Sequence, residues 1–224
     1  MDHDPSNLIR SARNADAQRV DQPDTTPDPW HVHAIDPHAG GPEFGRLLAA
    51  ARRLQDRFVA ALVPTDQVDG LINELDAVGA RFDQWHVAER TSPGGSRNDL
   101  PGRGNLLLPP FIIDEITPTF MRGRITFTRF HVGGNGAAHG GTVPLMFDDV
   151  LGRMVNGADR PVARTAYLNV NYRHVTLVDV EHRIEAHAGP IEGRKRFASG
   201  RLYVGNVLTA DAEALFVELN PGQQ

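Results

Sequence analysis

Two amphipathic helical patterns occupy the first half of the chain. In the first, apolar residues recur at helical spacing from Phe44 to Leu62, and Pro64 ends the run. In the second, an apolar stripe runs from Val68 to Trp85. The two patterns predict a helical hairpin with a short proline turn. Such a hairpin cannot bury both stripes alone, so we expect it to pack on another surface.

Alternating apolar and polar residues dominate the second half and predict β-strands. The pattern recurs in five runs, at residues 122–132, 162–174, 180–189, 194–206 and 208–219. A single helix-like run lies between the first and second of these strands. A strand, a helix and then four strands predict an α+β fold in which an antiparallel sheet curls around a central helix.

These patterns divide the chain into three parts. Residues 1–42 are polar and punctuated by prolines, and we predict a disordered or loosely attached arm. Residues 43–105 form the helical hairpin and a loop at 90–105, and residues 106–224 form the sheet domain. The arm contains four candidate metal ligands, His31, His33, Asp36 and His38. No familiar ligand spacing joins them, so we predict no metal site.

Composition removes several classes of function. The chain has no cysteine, which excludes disulfides, thiolate zinc sites and a cysteine nucleophile. A net charge of -5 argues against a nucleic-acid binder that works by bulk charge. The sequence has neither a long apolar run nor the apolar core of a signal peptide, so we expect no membrane partner and a cytoplasmic location.

The central helix begins with a sequence suited to binding an anionic atom. Pro144 lacks an N–H and is tolerated in a first helical turn, so the helix is predicted to begin around Gly140 or Gly141. The unpaired N–H groups of that turn then lie at His139-Gly140-Gly141. Such groups stabilise an oxyanion or a phosphate, and glycines let a ligand approach the backbone closely.

Two adjacent aspartates interrupt this helix, on opposite flanks of its apolar stripe. The stripe consists of Val143, Met146, Phe147, Val150, Leu151 and Met154. Asp149 stands four residues before Arg153, and we predict a solvated surface pair. Asp148 lies in line with Gly141 and Gly152, where a backbone or ligand can come close, and we predict that this carboxylate is functional. Pairing of either aspartate with a nearby arginine is the alternative.

His139 and Asp148 are too far apart along one helix to act on the same atom. The nine positions between them correspond to roughly 13 Å at about 1.5 Å per residue. A site that uses both residues must therefore combine two chains. A two-fold dimer with antiparallel central helices forms two such sites.

These residues resemble the hotdog-fold acyl-CoA thioesterases of the PaaI-like family. The shared pattern is His139-Gly140-Gly141 with Asp148 nine positions after the histidine. The segments "TAYLNVNYRH", "EGRK" and "LFVELNP" are similar to the mitochondrial thioesterase-superfamily members. The resemblance covers about residues 107 to 221, and matching segments in order are more specific than an isolated HGG. It implies a hotdog sheet around the central helix, and a homodimer or dimer of dimers with active sites at the subunit interface.

The resemblance also implies a role for each site residue. The Gly140 N–H holds the thioester oxygen, and Asp148 of the other subunit acts as general base or nucleophile. Thr165 holds the attacking water, and His139 positions the thioester. Substrate-binding positions are predicted at Gly141, Asn135, Arg194, Lys195 and Arg173, the basic ones as candidates for the phosphates of coenzyme A. No cofactor is implied.

Three points stay open on the sequence alone. Many relatives carry an asparagine six positions before the histidine, where this chain has Gly133, and Asn135 is another source of that side chain. Strand alternation places Thr165 beside Tyr167, away from the apolar face, as expected of an ordinary strand threonine. The basic turn at 194–195 is equally compatible with plain solvation.

The predicted function is hydrolysis of an acyl-CoA, with fatty acyl chains favoured by the resemblance to the mitochondrial members. The alternative is a non-catalytic acyl-CoA-binding or sensing protein on the same fold. Asp148 and Thr165 favour catalysis, because a binder needs neither a base nor a held water. The helices at 43–86 lack a basic recognition face, which argues against DNA. We expect them to cover the sheet or the dimer, or to cap the acyl channel.

Overall fold

A computed structural model describes residues 38–157 and 160–220 of the chain. Its helices are α1 (Phe44–Ala60), α2 (Thr65–Asp83) and α3 (Thr142–Asn156). Its strands are β1 (Ile112–Ile116), β2 (Phe120–Thr126), β3 (Val132–Gly134), β4 (Ala137–Ala138), β5 (Ala163–Tyr172), β6 (Glu181–Glu192), β7 (Lys195–Val204) and β8 (Val207–Glu218). Most of the predicted N-terminal arm, with His31, His33 and Asp36, lies outside the described residues.

Six strands form one antiparallel sheet in the order β1-β2-β6-β7-β8-β5. The strands β3 and β4 form a separate hairpin directly before α3. Helix α3 packs against β5, β6, β7 and β8. The predicted α+β fold, with a sheet around a central helix, is confirmed. The sheet also contains β1, which sequence alternation did not predict.

Small inward-facing residues on the sheet make room for the large side chains of α3. Those buried on β6, β7 and β8 are Ala186, Ala198, Gly200, Ala210, Ala212 and Ala214. A Cβ atom at Gly200 would lie 2.7 Å from the ring of Phe147, so helix and sheet approach closely there. The whole apolar stripe predicted for α3 is buried. Each large apolar side chain so buried stabilises the fold by about 1.5–3 kcal/mol.

The two edges of the sheet differ in length and charge. β1 has five residues, and its carboxylates pair with β2, Asp114 with Arg124 at 3.1 Å and Glu115 with Arg122 at 2.9 Å. β5 has ten residues, and most of its side chains are exposed. Short, charged edges resist pairing with another strand, whereas a long edge such as β5, whose one charged residue is Arg164, is more open to it. β5 is therefore the edge suited to a partner strand.

The two predicted N-terminal helices are confirmed, and α1 is attached to the domain along one side. Leu48 is its only buried residue, and Arg52 donates a hydrogen bond of 2.7 Å to the carbonyl oxygen of Asn105. Helix α2 has no buried residue, and every residue from 57 to 89 is exposed. Its apolar stripe is thus uncovered within the described part of the chain. None of the helices described combines the length and apolarity that a membrane span requires.

Two arginines hold the loop between α2 and β1. Arg97 is buried, pairs with Asp99 at 2.8 Å, and donates to the carbonyl oxygens of Ala39 and Gly41. Arg103 has a φ of 55° between two glycines that are also left-handed. This backbone conformation costs a non-glycine residue roughly 1–2 kcal/mol. The side-chain contacts of Arg103 with α3, described below, hold it in place.

Candidate active site at the central helix

The N-terminus of α3 leaves the Gly140 N–H among its available backbone donors. The Gly141 N–H donates to Nδ1 of His139 at 3.0 Å, and the Thr142 N–H donates to the carbonyl oxygen of His139 at 2.9 Å. The His139 N–H donates to the carbonyl oxygen of His131 at 2.7 Å. Among the described residues the Gly140 N–H has no acceptor. A free N–H at a helix N-terminus favours a negatively charged atom.

The same hydrogen bond determines which ring nitrogen of His139 carries the proton. Because Nδ1 accepts from the Gly141 N–H, the neutral ring carries its proton on Nε2. The side chain is exposed. His139 therefore presents a hydrogen-bond donor next to the free Gly140 N–H.

A cavity of about 400 Å³ adjoins this end of α3. Apolar side chains such as Ala138, Val143 and Val175 line it, together with Gly140 and Tyr172. The Tyr172 hydroxyl donates a hydrogen bond to the carbonyl oxygen of Gly140. This contact joins the end of β5 to the start of α3. The cavity has the size and apolar lining of a site for a small organic group.

Asp148 is exposed on α3 and meets Thr165 of β5. The Thr165 hydroxyl donates to Oδ1 of Asp148 at 2.8 Å. Because its one hydrogen is used in this bond, the lone pairs of Thr165 stay available to accept from a water molecule. A carboxylate beside such a hydroxyl has the groups needed to bind a water and to remove its proton.

A β-bulge turns Thr165 toward α3. In the register of β5 against β8, Thr165 pairs with Phe216 and Tyr167 pairs with Leu215, which leaves Ala166 as an extra residue. One extra residue reverses the alternation of side chains between the two faces. The sequence-based placement of Thr165 on the same face as Tyr167 is therefore wrong. Bulges are frequent beside active sites, where they redirect a side chain.

Asp149 does not form the predicted surface pair with Arg153. Its side chain is 16% exposed, and it pairs at 2.8 Å with Arg103 from the loop before β1. That prediction is wrong because a segment 46 residues earlier in the chain contacts this flank of α3. Burial raises the pKa of Asp149 above its ordinary value, and the positive charges of Arg103 and Arg153 oppose that rise.

The hairpin before α3 accounts for Gly133 and Asn135. Asn135 and Gly136 have φ of 50° and 74°, as in a two-residue type I′ turn. Asn135 is exposed at this turn and does not line the cavity. A Cβ atom at Gly133 would lie 2.7 Å from the Cα of His139. Close packing of the hairpin on His139 therefore requires glycine at 133, and an asparagine there would displace the hairpin.

The three basic candidates lie at opposite ends of the sheet. Arg173 lines the cavity, where its Nε pairs with Asp211 at 2.5 Å. The hydrogen bond from Arg173 lowers the pKa of Asp211 below its ordinary value. Arg194 and Lys195 lie at the turn between β6 and β7, and Arg194 donates to the carbonyl oxygen of Glu218 at 3.1 Å. This turn lies at the same end of the sheet as the start of β5, which carries Thr165, with β8 between them.

A single chain thus separates the predicted site residues into two groups. His139 and Gly140 lie with Tyr172 at the end of β5, whereas Asp148 contacts Thr165 near its start. The seven residue-to-residue steps from Thr165 to Tyr172 span about 23 Å at roughly 3.3 Å per residue. The chain by itself therefore does not bring the two groups together.

The sequence did not predict two residues of this region, Tyr172 and Arg103. Strand alternation groups Tyr172 with the apolar residues Leu168 and Val170, and this parity places it toward α3 as observed. Its hydroxyl could have been predicted to need a partner there. Arg103 carries no such signal, because its partner is distant in sequence.

Comparison with proteins of known structure identifies the fold. A thioesterase superfamily protein superposes with a TM-score of 0.67 at 24% identity, covering 78% of this chain and 90% of that chain. Mouse thioesterase superfamily member 2 gives a TM-score of 0.45 at 18% identity, covering 49% of this chain and 82% of its own. A phenylacetic acid degradation-related protein from Ralstonia eutropha gives 0.45 at 20% identity, covering 48% and 83%. No protein-family model and no curated protein matches the sequence.

The first of these superpositions carries the conclusion. It covers most of both chains and extends beyond the sheet domain. The chain has an α+β hotdog fold with additional N-terminal helices. This is the fold of thioesterase superfamily proteins, as the sequence resemblance implied.

Proposed function

We propose that the protein is an acyl-CoA thioesterase that works as a homodimer. The observation that carries this proposal is the hydrogen bond of 2.8 Å from Thr165 to Asp148, on the exposed flank of α3. It combines a carboxylate with a hydroxyl that can still accept from water. The free Gly140 N–H and the adjoining apolar cavity supply the other two requirements of thioester hydrolysis, an oxyanion donor and a place for the acyl group.

In the proposed reaction, a water molecule held by Thr165 attacks the thioester carbon. Asp148 accepts its proton as a general base, and negative charge develops on the carbonyl oxygen. The Gly140 N–H donates to that oxygen, which is worth about 3 kcal/mol for one preorganised donor. The carbon–sulfur bond then breaks, and the sulfur takes the proton from Asp148. The products are a free acid and coenzyme A. Direct attack by the Asp148 carboxylate is the other route open to this residue.

The dimer follows from the positions of the two residue groups along β5. If β5 pairs antiparallel with β5 of a second copy, the end of one strand lies beside the start of the other. His139 and Gly140 of one chain would then approach Asp148 and Thr165 of its partner, and the symmetry forms two such sites. The length and exposure of β5 support this pairing. It would also bring the turn at 194–195 near a site, where its charges could bind the phosphates of coenzyme A.

The direct test is release of thiol from a panel of acyl-CoAs of increasing chain length. Because the protein has no cysteine, a thiol reagent reports only released coenzyme A. We expect wild type to release it and Asp148→Asn to release almost none. Asp114→Asn is the matched control, since Asp114 is an exposed aspartate on the opposite edge strand. If wild type binds acyl-CoA but releases no coenzyme A, the protein is a non-catalytic binder and the proposal is wrong.

A mixing experiment tests whether each site is shared between chains. Asp148→Asn and His139→Ala chains are each expected to form inactive dimers. In a heterodimer of the two, one site carries both substitutions and the other carries neither. Random mixing should therefore restore about a quarter of wild-type activity, because half of the dimers each have one intact site. No recovery on mixing, with heterodimers present, would mean that the sites are not shared.

A further inference from the structure

Helix α2 is long and apolar on one side, and no other part of the described chain covers it. It has 19 residues, none of them buried. Gly70 and Gly79 lie within it, and each weakens a helix by about 1 kcal/mol relative to alanine. Isolated helices of this length are marginal in water, and most helical stability comes from packing of an apolar face. Helix α2 therefore needs a partner surface.

The spacing of the apolar residues indicates that the partner is another helix. They recur at alternating intervals of three and four, at Val68, Leu71, Leu75, Val78 and Phe82 within the helix and at Trp85 two residues beyond its end. This is the heptad pattern of a helix that packs against a second helix along a narrow seam. The six side chains are between 38% and 60% exposed.

Helix α1 carries a matching seam on a face that the domain leaves open. Leu47, Leu54 and Phe58 are spaced by seven and four residues, so they lie on one face, and they are 50%, 49% and 68% exposed. Leu48 and Arg52 attach the helix to the domain on a different face. The seam is thus free to receive a helix without displacing α1.

The charges beside the two seams are opposite. Helix α1 contains four arginines and one aspartate, whereas α2 contains five carboxylates and one arginine. The row beside the α1 seam is Arg46, Arg53 and Arg57, each one position before a seam residue. The row beside the α2 seam is Asp69, Asp76 and Asp83, each one position after a seam residue. Complementary rows favour pairing of α1 with α2 and disfavour pairing of like helices.

The linker keeps the two helices of one chain apart. Both ends of this linker have an extended ψ, 141° at Ala61 and 140° at Pro64. Proline also disfavours a helical conformation in the residue before it. The helices do not pack along each other within the chain. Two complementary seams joined by an extended linker are the arrangement of a segment exchanged between copies.

We propose that α2 of each copy packs against α1 of a second copy of this chain. The exchange is reciprocal, so the two contacts close a two-fold assembly and leave no seam uncovered. It joins two copies through a surface distinct from β5. The proposal does not rest on thioesterase activity, and its test needs no substrate.

Cross-linking of engineered cysteines tests the exchange in the full chain, which has no cysteine of its own. Leu54→Cys chains and Leu75→Cys chains, distinguished by tags of different size, are mixed and treated with a short bis-maleimide. We expect a product that contains one chain of each kind. Ala49→Cys and Asn73→Cys form the matched control pair, since both residues are exposed but lie off the seams. That pair should yield at least ten-fold less mixed product.

Other partners for α2 give different products. A chain with both Leu54→Cys and Leu75→Cys that cross-links only within itself would show α2 folded back on its own α1. A dominant Leu75→Cys homodimer product would show pairing of α2 with α2. If Leu75→Cys is protected from maleimide but forms no cross-link, another segment, such as residues 1–37, covers the apolar face of α2. Labelling as fast as that of Asn73→Cys would show a free helix. Each of these results overturns the exchange.

Discussion

The two flanks of α3 place neighbouring aspartates in different environments. Asp148 is exposed and accepts a hydrogen bond from Thr165, whereas Asp149 is largely covered and pairs with Arg103. The difference arises from what covers each flank. A loop from before the sheet domain contacts the Asp149 side, and on the Asp148 side the neighbour is an edge strand. The covered aspartate therefore serves the fold, and the open one is available for chemistry.

The largest expected effect is a difference in catalytic activity between variants of the two aspartates. Asp148→Asn should lower kcat by roughly 100- to 10,000-fold, because it removes the general base while keeping shape. Its melting temperature should stay close to that of wild type, since the side chain is exposed. Asp149→Asn should lower the melting temperature while the remaining folded protein keeps its kcat. Parallel kinetics and thermal unfolding of the two variants check this. Equal loss of activity in both would remove the distinction between the flanks.

The next effect tests the covered flank alone. Arg103→Ala leaves the Asp149 carboxylate without its partner, at a cost of about 2–3 kcal/mol in the free energy of unfolding. Urea unfolding measures this cost. The double variant Arg103→Ala/Asp149→Asn should recover part of the loss, because the unpaired charge is gone. Strict additivity of the two single changes would mean that the ion pair contributes nothing.

A smaller effect tests the open flank. Thr165→Val removes the hydroxyl and keeps the shape of the side chain. We expect kcat to fall about ten-fold, the equivalent of one hydrogen bond to a charged group, with little change in stability. Thr165→Ser should recover much of the rate, since the hydroxyl returns. A valine variant as active as wild type would show that Thr165 holds no water in the reaction.

The smallest effect is a pH dependence of stability at Asp149. Burial raises its pKa above the ordinary value of 3.8, so the folded state holds the proton more tightly than the unfolded chain. This contribution is fully present below that ordinary value and is lost as pH rises through the raised pKa. Wild type should therefore lose stability relative to Asp149→Asn as pH increases, by about 1.4 kcal/mol for each unit by which the pKa is raised. A difference that is constant with pH would contradict the shift.

The sequence by itself determined the elements that depend on local pattern. Period and proline position predicted the three helices, with the start of α3 placed around Gly140 or Gly141 against Thr142 in the structure, and alternation predicted five of the strands. The apolar stripe of α3 was predicted because a buried helix face requires apolar residues at helical spacing along the sequence. The hotdog fold was implied by a family resemblance, which the HGG–Asp pattern and the order of similar segments carry, and the superposition at a TM-score of 0.67 confirms it.

Tertiary structure alone decided which side chains those elements bring together. The bulge at Ala166 reverses the face of Thr165, and no alternation pattern signals a single extra residue in a strand. Arg103 reaches Asp149 across 46 residues, a contact that depends on the packing of a loop. Local periodicity encodes which face of an element is apolar. The neighbour on the other face depends on non-local packing, which is why the partners of Asp148 and Asp149, Thr165 and Arg103, required the three-dimensional structure.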